Sequence, residues 1–229
     1  MKTAGIIGGL GPETTARFYL DTIFNCYRQN REARPGILLS SVPLPYHIEE
    51  DLLLRNTGTE RYIPYLTAEA KRLEKAGAGF IVMPCNSLHI YIDEIRNAVK
   101  IPVLSIIEET VKYLKKKNFK RPGIVATSTT IKNRLYEKAL HESNIELVIP
   151  EGLQQSKTDR LIMNLVAGLQ KNKDRDELTR IIDDLERKEA DCIALACTDL
   201  QLLIPEHPRL KIFDTMKLFA EATVAEILK

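Results

Sequence analysis

Two cysteines stand at the ends of apolar runs, and polar side chains follow each of them directly. Cys85 ends the run FIVMPC and precedes Asn86 and Ser87, while Cys197 ends the run CIALAC and precedes Thr198. A thiol at the end of a strand and the start of a helix meets backbone N–H groups and the positive end of the helix dipole, which favour the thiolate. Each cysteine therefore has the surroundings of a nucleophile or of a general base.

The two cysteines are related by an internal repeat. Residues 73–92 align without a gap with residues 185–204, and in this alignment Cys85 falls on Cys197. The stretch AGIIGGLGP parallels PGIVATSTT, and KIPVLSI parallels LKIFDTM. A solenoid would repeat every 20 to 50 residues or so. The longer offset found here predicts two similar lobes, each with one cysteine.

Short apolar runs alternate with helical patterns along the whole chain. The runs are continuous, which is typical of strands covered on both faces, and intervening helices indicate parallel sheets. We predict an α/β fold of two similar pseudo-symmetric lobes, each a mostly parallel sheet flanked by helices. The expected lobes are residues 1–104 with about 212–229, and residues 105–211. Strands are expected in TAGIIGG, GILLSSV, GFIVMPC, KIPVLSI, RPGIVATS, IELVIP, ADCIALAC and KIFDT, and one long helical region from about 157 to 189.

The strand ends predict where the chemistry takes place. In open α/β sheets, ligands bind beside the loops that follow the strands, so we expect both thiols to face one site in the cleft between the lobes. One thiolate can remove a proton from a carbon acid while the opposite thiol delivers one, which inverts a stereocentre. The carbanion needs fixed N–H and O–H donors around its carboxylate, and the loops GLGPETT and ATSTT offer them.

Composition and spacing argue against several other classes of protein. The 33 basic and 31 acidic residues leave a net charge of +2, which indicates no polyanionic partner. No window approaches the roughly 18 apolar residues of a membrane span, and four irregularly spaced cysteines suit a reducing compartment. No cysteine or histidine pair has structural zinc spacing, and GGLGPET lacks the third glycine of a dinucleotide loop. We expect a cytoplasmic protein that binds a small molecule and neither nucleic acid nor membrane.

The motifs GIIGGLGPETT, MPCNSLH, GIVATS and ACTDL, in this order and spacing, resemble the aspartate/glutamate racemase family, and the aspartate racemase branch most closely. The resemblance covers essentially the whole chain. It implies a two-lobe fold, catalysis without pyridoxal phosphate or a metal, and commonly a homodimer. It also implies that Cys85 and Cys197 are the two acid/base residues of a racemase acting on aspartate or glutamate.

The same resemblance implies which residues bind the substrate. Leu10 and Gly11 match the loop that closes over the ligand. The residues that match positions holding the substrate carboxylate and amino groups are Asn86, Ser87, Thr127, Thr130 and Thr198.

Some positions depart from the family pattern. Ser87 stands where threonine is common and Asp199 where glutamate is common, and each keeps its functional group. Aspartate racemases typically place an arginine for the side-chain carboxylate near the segment VPLPYHIEED, where this chain has only His47, with Arg55 further on. Lys157 is the candidate substitute. The resemblance therefore supports the reaction type better than the side chain of the substrate.

Alternative functions stay open at this point. A relative with the same fold can use its thiols differently, as maleate isomerase does with one nucleophilic cysteine, or can act on a ring, as hydantoin racemase does. A redox-sensing or ligand-binding protein would instead join Cys85 and Cys197 in a reversible disulfide.

Individual residues also allow more than one interpretation. Asp199 either polarises a neighbouring group or is a charge at a helix start. We interpret His89 as a residue that caps or lines its helix rather than as a base, because the repeat has Gln201 there. We assign Cys26 and Cys192 to the core, because free cysteine packs as a small hydrophobe.

Overall fold

The computed structural model describes residues 1–55, 57–140 and 143–229. It contains two three-stranded sheets in which every pair of neighbouring strands is parallel, with helices between the strands. The predicted α/β fold is therefore confirmed. In the described part of the chain, no helix is both long and apolar enough to cross a membrane.

The chain divides into two compact units. Unit 1 comprises Met1–Glu109 and Lys217–Lys229, and unit 2 comprises Thr110–Met216. Each unit contains one of the two sheets and one of the two cysteines singled out by the repeat.

The sheet of unit 1 has β1 (Ala4–Gly8) at its centre, between β2 (Ile37–Ser41) and β3 (Phe80–Val82). Every residue of β1 and β3 is buried, as the continuous apolar runs predict. Because both pairings are parallel, the carboxyl ends of the three strands lie at one edge of the sheet. The helices that begin in this unit are α1 (Pro12–Gln29), α2 (Tyr46–Arg55), α3 (Ile63–Lys75), α4 (Ile92–Ala98) and α5 (Ile106–Lys116). α5 continues into unit 2 from Thr110.

The sheet of unit 2 has β5 (Cys192–Leu195) at its centre, between β4 (Pro122–Val125) and β6 (Lys211–Asp214). β4 and β5 are buried along their whole length. The helices of this unit are α6 (Ser128–Lys132), α7 (Leu135–Leu140), α8 (Gly152–Val166) and α9 (Asn172–Arg187). The last helix, α10 (Thr215–Ile227), belongs to unit 1 from Lys217 onward.

Amphipathic helices cover each sheet with one apolar side. On α9, Leu178, Ile181, Ile182 and Leu185 recur at helical spacing, and all four belong to the apolar cluster of unit 2. Full burial of one such side chain stabilises the fold by about 1.5 to 3 kcal/mol. The helices therefore hold the sheets in the register that places the strand ends together.

Two expected strands turn out to be single bridges. Val103 pairs only with Ile81, and Val148 only with Gly123, as isolated parallel bridges. Pro102 immediately precedes the first of them. Because proline has no N–H to donate to a ladder, the strand predicted in KIPVLSI does not extend.

The long helix predicted over residues 157–189 is two helices. α8 ends at Val166, and Gly168 follows in the left-handed conformation with φ of 66°. The N–H of Gly168 donates to the carbonyl of Leu165, and the N–H of Leu169 donates to the carbonyl of Asn164. This pair of bonds is a Schellman motif, which ends a helix at a glycine.

Candidate active site

The thiol of Cys85 lies just beyond the buried end of β3. Met83 and Pro84 lead the chain out of the strand, and the N–H of Cys85 donates to the carbonyl of Met83 at 2.8 Å. Cys85 is half-buried, and a 3-10 helical turn over Ser87–Tyr91 follows it. Asn86, between the thiol and this turn, is only 2 % exposed. The predicted placement of a thiol between a strand end and a helical turn is therefore found in unit 1.

Parallel pairing brings the loop after β1 to the same edge of the sheet. Ile6 is the partner of Val82, so β1 and β3 end side by side. Leu10 and Cys85 both pack against the apolar cluster of unit 1. The structure therefore brings the predicted loop residues Leu10 and Gly11 to the edge that carries Cys85.

Thr15 of α1 holds this loop. Its Oγ1 accepts a hydrogen bond from the N–H of Gly9 at 3.0 Å and donates one to the carbonyl of Gly11 at 2.8 Å. Gly9 has φ of 83°, and a Cβ on Gly8 would lie 2.4 Å from Cγ2 of Thr15. The peptide bond between Leu10 and Gly11 is cis. Gly8 is required because the loop lies directly against Thr15 of α1, and Gly9 is required by its positive φ and because a Cβ there would lie 2.5 Å from Oγ of Ser41.

His89 lies one turn after Cys85 and is 3 % exposed. Its Nε2 accepts a hydrogen bond from the N–H of Ile106, the first residue of α5, at 3.1 Å. Its Nδ1 lies 2.6 Å from the carbonyl oxygen of Cys85. The sequence predicts that His89 caps or lines its own helix, whereas in the structure it caps the start of another helix, α5.

Tyr62 is a neighbour of Cys85 that the sequence analysis missed. Burial raises the pKa of the Tyr62 phenol, and negative charges at Cys85 and Glu49 raise it further. Burial also raises the pKa of the Glu49 carboxyl. The phenol therefore keeps its proton next to a thiolate at Cys85. No spacing or motif marks this tyrosine, because it belongs to a separate 3-10 turn, Thr59–Tyr62.

Cys197 occupies the equivalent place in unit 2. It follows β5 after Ala196 and is 8 % exposed, and a 3-10 turn over Thr198–Leu203 begins directly after it. The thiol donates a hydrogen bond to Oδ2 of Asp199 at 3.7 Å. Of the two interpretations of Asp199, the structure therefore favours a group that acts on its neighbour.

The predicted threonines of unit 2 lie at the same edge of the sheet as Cys197. Val125 is the partner of Leu195, so β4 and β5 end side by side. Thr127 caps α6, because its Oγ1 accepts from the N–H of Thr130 at 3.3 Å and lies 3.2 Å from Oγ1 of Thr130. The three predicted threonines, Thr127, Thr130 and the buried Thr198, therefore all lie at the strand ends of this unit.

Helix α8 holds the Thr127 loop through two residues that the sequence analysis missed. Asp159 accepts hydrogen bonds from the backbone N–H of Ser128 at 2.8 Å and from its hydroxyl. The amide of Gln155 donates to the carbonyl of Ala126 at 3.0 Å. An Asp and a Gln on an amphipathic helix look like solvated residues, so only the fold reveals that they position the loop.

Lys157 belongs to the same helix, but its amine makes a different contact. Its Nζ lies 3.8 Å from Oε1 of Glu177 on α9, and Arg160 pairs with the same carboxylate at 2.9 Å. In the structure, Lys157 therefore forms an ion pair that links α8 to α9. The role of Lys157 toward a substrate stays a prediction. His47 is exposed at the start of α2, and the side chain of Arg55 lies outside the described residues.

The other two cysteines lie in the core, as predicted. Cys26 on α1 and Cys192 on β5 are both fully buried, and burial raises the pKa of each thiol. Both thiols therefore stay protonated near neutral pH. None of the four cysteines, all of which the structure describes, is in a disulfide.

A cluster of Asp183, Glu186 and His207 in unit 2 has the donor atoms of a metal site. Its groups have protein partners. Arg209 pairs with Glu186 through two nitrogens, and His207 receives the N–H of Leu210 on Nδ1 at 3.0 Å while its Nε2 lies 3.2 Å from Asp183. These contacts hold the loop before β6 against α9, so the cluster is explained without a metal ion.

Comparison with known proteins places these features in context. The model of the family described as Asp/Glu/Hydantoin racemase matches residues 7–223. The chain is 28% identical over 232 residues to the broad specificity amino-acid racemase RacX of Bacillus subtilis (strain 168), covering 98% of this chain and 97% of RacX.

Two solved structures have the same fold along the whole chain. The aspartate racemase of Picrophilus torridus is 25% identical with a TM-score of 0.82, and the match covers 100% of this chain and 95% of that one. PH1733 of Pyrococcus horikoshii OT3, an aspartate racemase homologue, is 25% identical with a TM-score of 0.81 and 100% coverage of both chains. A two-lobe arrangement is the fold of these relatives.

We expect His89 to make stability depend on pH. Burial, assisted by the charge of Arg96, lowers the pKa of His89 from 6.5 to about 4, against the opposing effects of its bond to Cys85 and the charge of Glu108. Between these values the unfolded chain binds a proton that the folded chain does not. The stabilisation is therefore complete above pH 6.5 and is lost as the pH falls toward 4, by about 3 kcal/mol.

Urea unfolding at a series of pH values measures this effect. Acid also protonates the carboxylates of ion pairs, so the comparison is with His89→Asn, which lacks the titrating ring. The wild-type protein should lose more free energy of unfolding than this variant between pH 6.5 and pH 4. Parallel curves for the two proteins would contradict the assignment.

We expect Asp199 to favour the protonated form of the Cys197 thiol. Asp199→Asn keeps the size of the side chain but removes a negative charge beside the sulfur, so the thiolate becomes easier to form. Alkylation of Cys197 by iodoacetamide at pH 7, followed by mass spectrometry of its peptide, should become about 3- to 10-fold faster. Cys85 in the same sample is the internal reference, and Asp183→Asn is the control variant. An unchanged or slower reaction at Cys197 would refute this role.

Proposed function

Because the chain belongs to the Asp/Glu/hydantoin racemase family and is an amino-acid racemase, an enzyme of the isomerase class, we propose that it inverts Cα of its substrate with the thiols of Cys85 and Cys197. No cofactor takes part in the proposed reaction. The observation that carries the proposal is that the same arrangement occurs in both units. In each, a buried strand ends two or three residues before the cysteine, and a 3-10 turn begins one or two residues after it.

The proposed reaction has two proton transfers on opposite faces of Cα. The thiolate of one cysteine takes the Cα proton, and the electron pair of the broken C–H bond moves into the carboxylate to give an enediolate. The thiol of the other cysteine then gives its proton to Cα from the opposite side and becomes a thiolate. Proton exchange with water returns the two sulfurs to their first state.

Asp199 supports different starting states for the two thiols. A carboxylate that accepts a hydrogen bond from Cys197 stabilises the thiol over the thiolate. Tyr62, which stays protonated, is an O–H group beside Cys85. We therefore propose that the resting enzyme carries the thiolate on Cys85 and the proton on Cys197.

Polar groups at the two strand edges are proposed to hold the substrate. Asn86 and Ser87 follow one cysteine, and Thr198 follows the other. With Thr127 and Thr130 they supply amide and hydroxyl donors to the enediolate, in the manner of an oxyanion hole. Their oxygen atoms are the acceptors for the hydrogen bonds that the substrate amino group donates. Leu10 and Gly11 are proposed to cover the ligand from the loop after β1.

The proposed substrates are aspartate and glutamate, with Lys157 as the candidate partner of the side-chain carboxylate. A second candidate is a wider range of amino acids. Two observations favour it: RacX, matched over 98% of this chain, is described as a broad specificity racemase, and the amine of Lys157 is paired with Glu177.

Racemisation assays of the wild type and four cysteine variants test the two-thiol proposal. The wild type is incubated under reducing conditions with each enantiomer of aspartate, glutamate, and a panel of neutral and basic amino acids, and optical activity is followed. Cys85→Ala and Cys197→Ala should each lose about 10²- to 10⁴-fold in rate, because each removes one of the two acid/base groups. Cys26→Ala and Cys192→Ala are the matched controls, and their rates should stay close to that of the wild type.

The same samples separate the alternatives. Rapid inversion of acidic amino acids alone favours the first substrate proposal, and inversion across the panel favours the second. Conversion of maleate or of a hydantoin, with no amino acid inverted, would contradict the proposal and favour a related enzyme. A disulfide between Cys85 and Cys197 that forms and breaks at a cellular redox potential, without turnover, would favour a sensor.

We also propose that the protein is a cytoplasmic homodimer, as the resemblance implies. Sedimentation equilibrium should give twice the mass of the 26.0 kDa chain. A single-chain mass over the concentrations used in the assay would contradict a dimer.

A further inference from the structure

His89 is held by hydrogen bonds at both ring nitrogens. Its Nε2 receives the N–H of Ile106, and its Nδ1 lies 2.6 Å from the carbonyl oxygen of Cys85. A backbone N–H can only donate, so Nε2 must be an unprotonated acceptor. The ring proton is therefore on Nδ1, where it donates to the Cys85 carbonyl. A neutral imidazole in this one tautomer satisfies both partners.

Packing fixes the plane of the ring as well. The edge of His89 meets Phe219 of α10, with ring centroids 6.5 Å apart and an interplanar angle of 81°. Phe219 is itself fully buried and stacks at a tilt on Phe18 of α1 at 5.6 Å. The imidazole is thus a rigid link between the residue that carries the thiol and the first residue of α5.

This arrangement excludes proton transfer as the role of the ring. Both nitrogens are engaged with backbone groups, and burial keeps the pKa of His89 at about 4. A base needs a free lone pair that faces the substrate. What the ring controls is the orientation of the peptide group between Cys85 and Asn86, because it binds the carbonyl of that peptide.

Unit 2 achieves the same two contacts with two separate groups. The carbonyl of Cys197 accepts from the N–H of Leu200 at 3.1 Å, and the N–H of Met216, which the repeat aligns with Ile106, donates to the carboxylate of Asp214 at 2.9 Å. Gln201, the counterpart of His89, reaches the sulfur of Met216 at 3.7 Å. One imidazole in unit 1 therefore makes both the contact to the cysteine carbonyl and the contact to the helix start.

We propose that His89 is a positioning residue for the reaction: by holding the Cys85 carbonyl, it fixes both the Cys85 sulfur and the direction of the Asn86 N–H toward the enediolate. This inference rests on the proposed two-thiol function. It predicts that the bond from Nδ1 matters for turnover, whereas the bond to Nε2 matters for the stability of α5.

Two substitutions separate these bonds. His89→Asn can place an amide N–H where Nδ1 stands, so it keeps the donor to the Cys85 carbonyl and loses the acceptor for Ile106. His89→Gln can place an amide oxygen where Nε2 stands, so it keeps the acceptor for Ile106 and loses the donor to Cys85. Both replacement side chains are polar, and neither is larger than histidine. Thermal unfolding establishes that both variants are folded at the assay temperature.

The kinetic readout is kcat and KM for the amino acid that the wild type inverts fastest, in both directions. His89→Asn should keep kcat within about threefold of the wild type, while His89→Gln should lose about 10- to 100-fold in kcat with a much smaller change in KM. A purely structural role predicts that kcat follows thermal stability in both variants. Equal kcat values in the two folded variants would overturn the proposal.

A second readout does not need catalysis. The ratio of iodoacetamide alkylation at Cys85 to that at Cys197 should change in His89→Gln and stay near the wild-type value in His89→Asn. His207→Gln is the matched control, because it removes from unit 2 another imidazole that is buried and has hydrogen-bond partners at both ring nitrogens. It should leave the ratio unchanged. If the wild type inverts no amino acid, the proposed function fails, while this ratio still decides the role of His89.

Nitrogen-15 NMR of histidine-labelled protein tests the tautomer in the wild type, and a variant is needed only to assign the signal. The signal of His89, assigned by its loss in His89→Asn or His89→Gln, should be that of a neutral ring with its proton on Nδ1. A proton on Nε2 would overturn the proposal, whether or not the variants are stable enough for kinetics.

Discussion

The parallel pairing of short, buried strands is the constraint on which the candidate site depends. β1 with β3, and β4 with β5, are paired so that their carboxyl ends lie side by side. A shift of one residue in either pairing would move every side chain of the strand to the other face of the sheet. The loop after β1, which carries Leu10 and Gly11, would then no longer lie beside Cys85. Likewise, the Thr127 loop would no longer lie beside Cys197. Helices such as α9, which bury an apolar side on each sheet, therefore stabilise the geometry of the site as well as the fold.

The surroundings of Cys85 in unit 1 and of Cys197 in unit 2 share a backbone plan and differ in electrostatics. Cys85 has a protonated phenol and a neutral imidazole for neighbours, whereas Cys197 donates to a carboxylate. A racemase has to bind two mirror-image substrates, yet its halves need not be mirror images themselves. Different neighbours allow one sulfur to rest as the thiolate and the other as the thiol, which is the pair of states that a single proton transfer requires.

The sequence predicts the parts of this site that repeat or lie close together in the chain. Cys85 and Cys197 are visible because each ends an apolar run, and the threonines of the Thr127 loop because they match positions of the family that the motifs resemble. Tyr62 and Asp159 could not be predicted, since each reaches its partner only through tertiary packing. The same limit applies to the fold: the apolar pattern locates the central strands, but Val103 follows a proline and forms a single bridge instead of a strand.

The position of deuterium in the product tests the two-thiol account most directly. One enantiomer of the best substrate is incubated in deuterium oxide, and the reaction is stopped early in its course. Two thiols on opposite faces predict deuterium at Cα of the newly formed enantiomer and protium in the remaining starting enantiomer, because the proton delivered comes from a second sulfur that has exchanged with solvent. A product that retains the original proton at Cα would contradict the account, because it requires a single base that carries one proton from one face to the other.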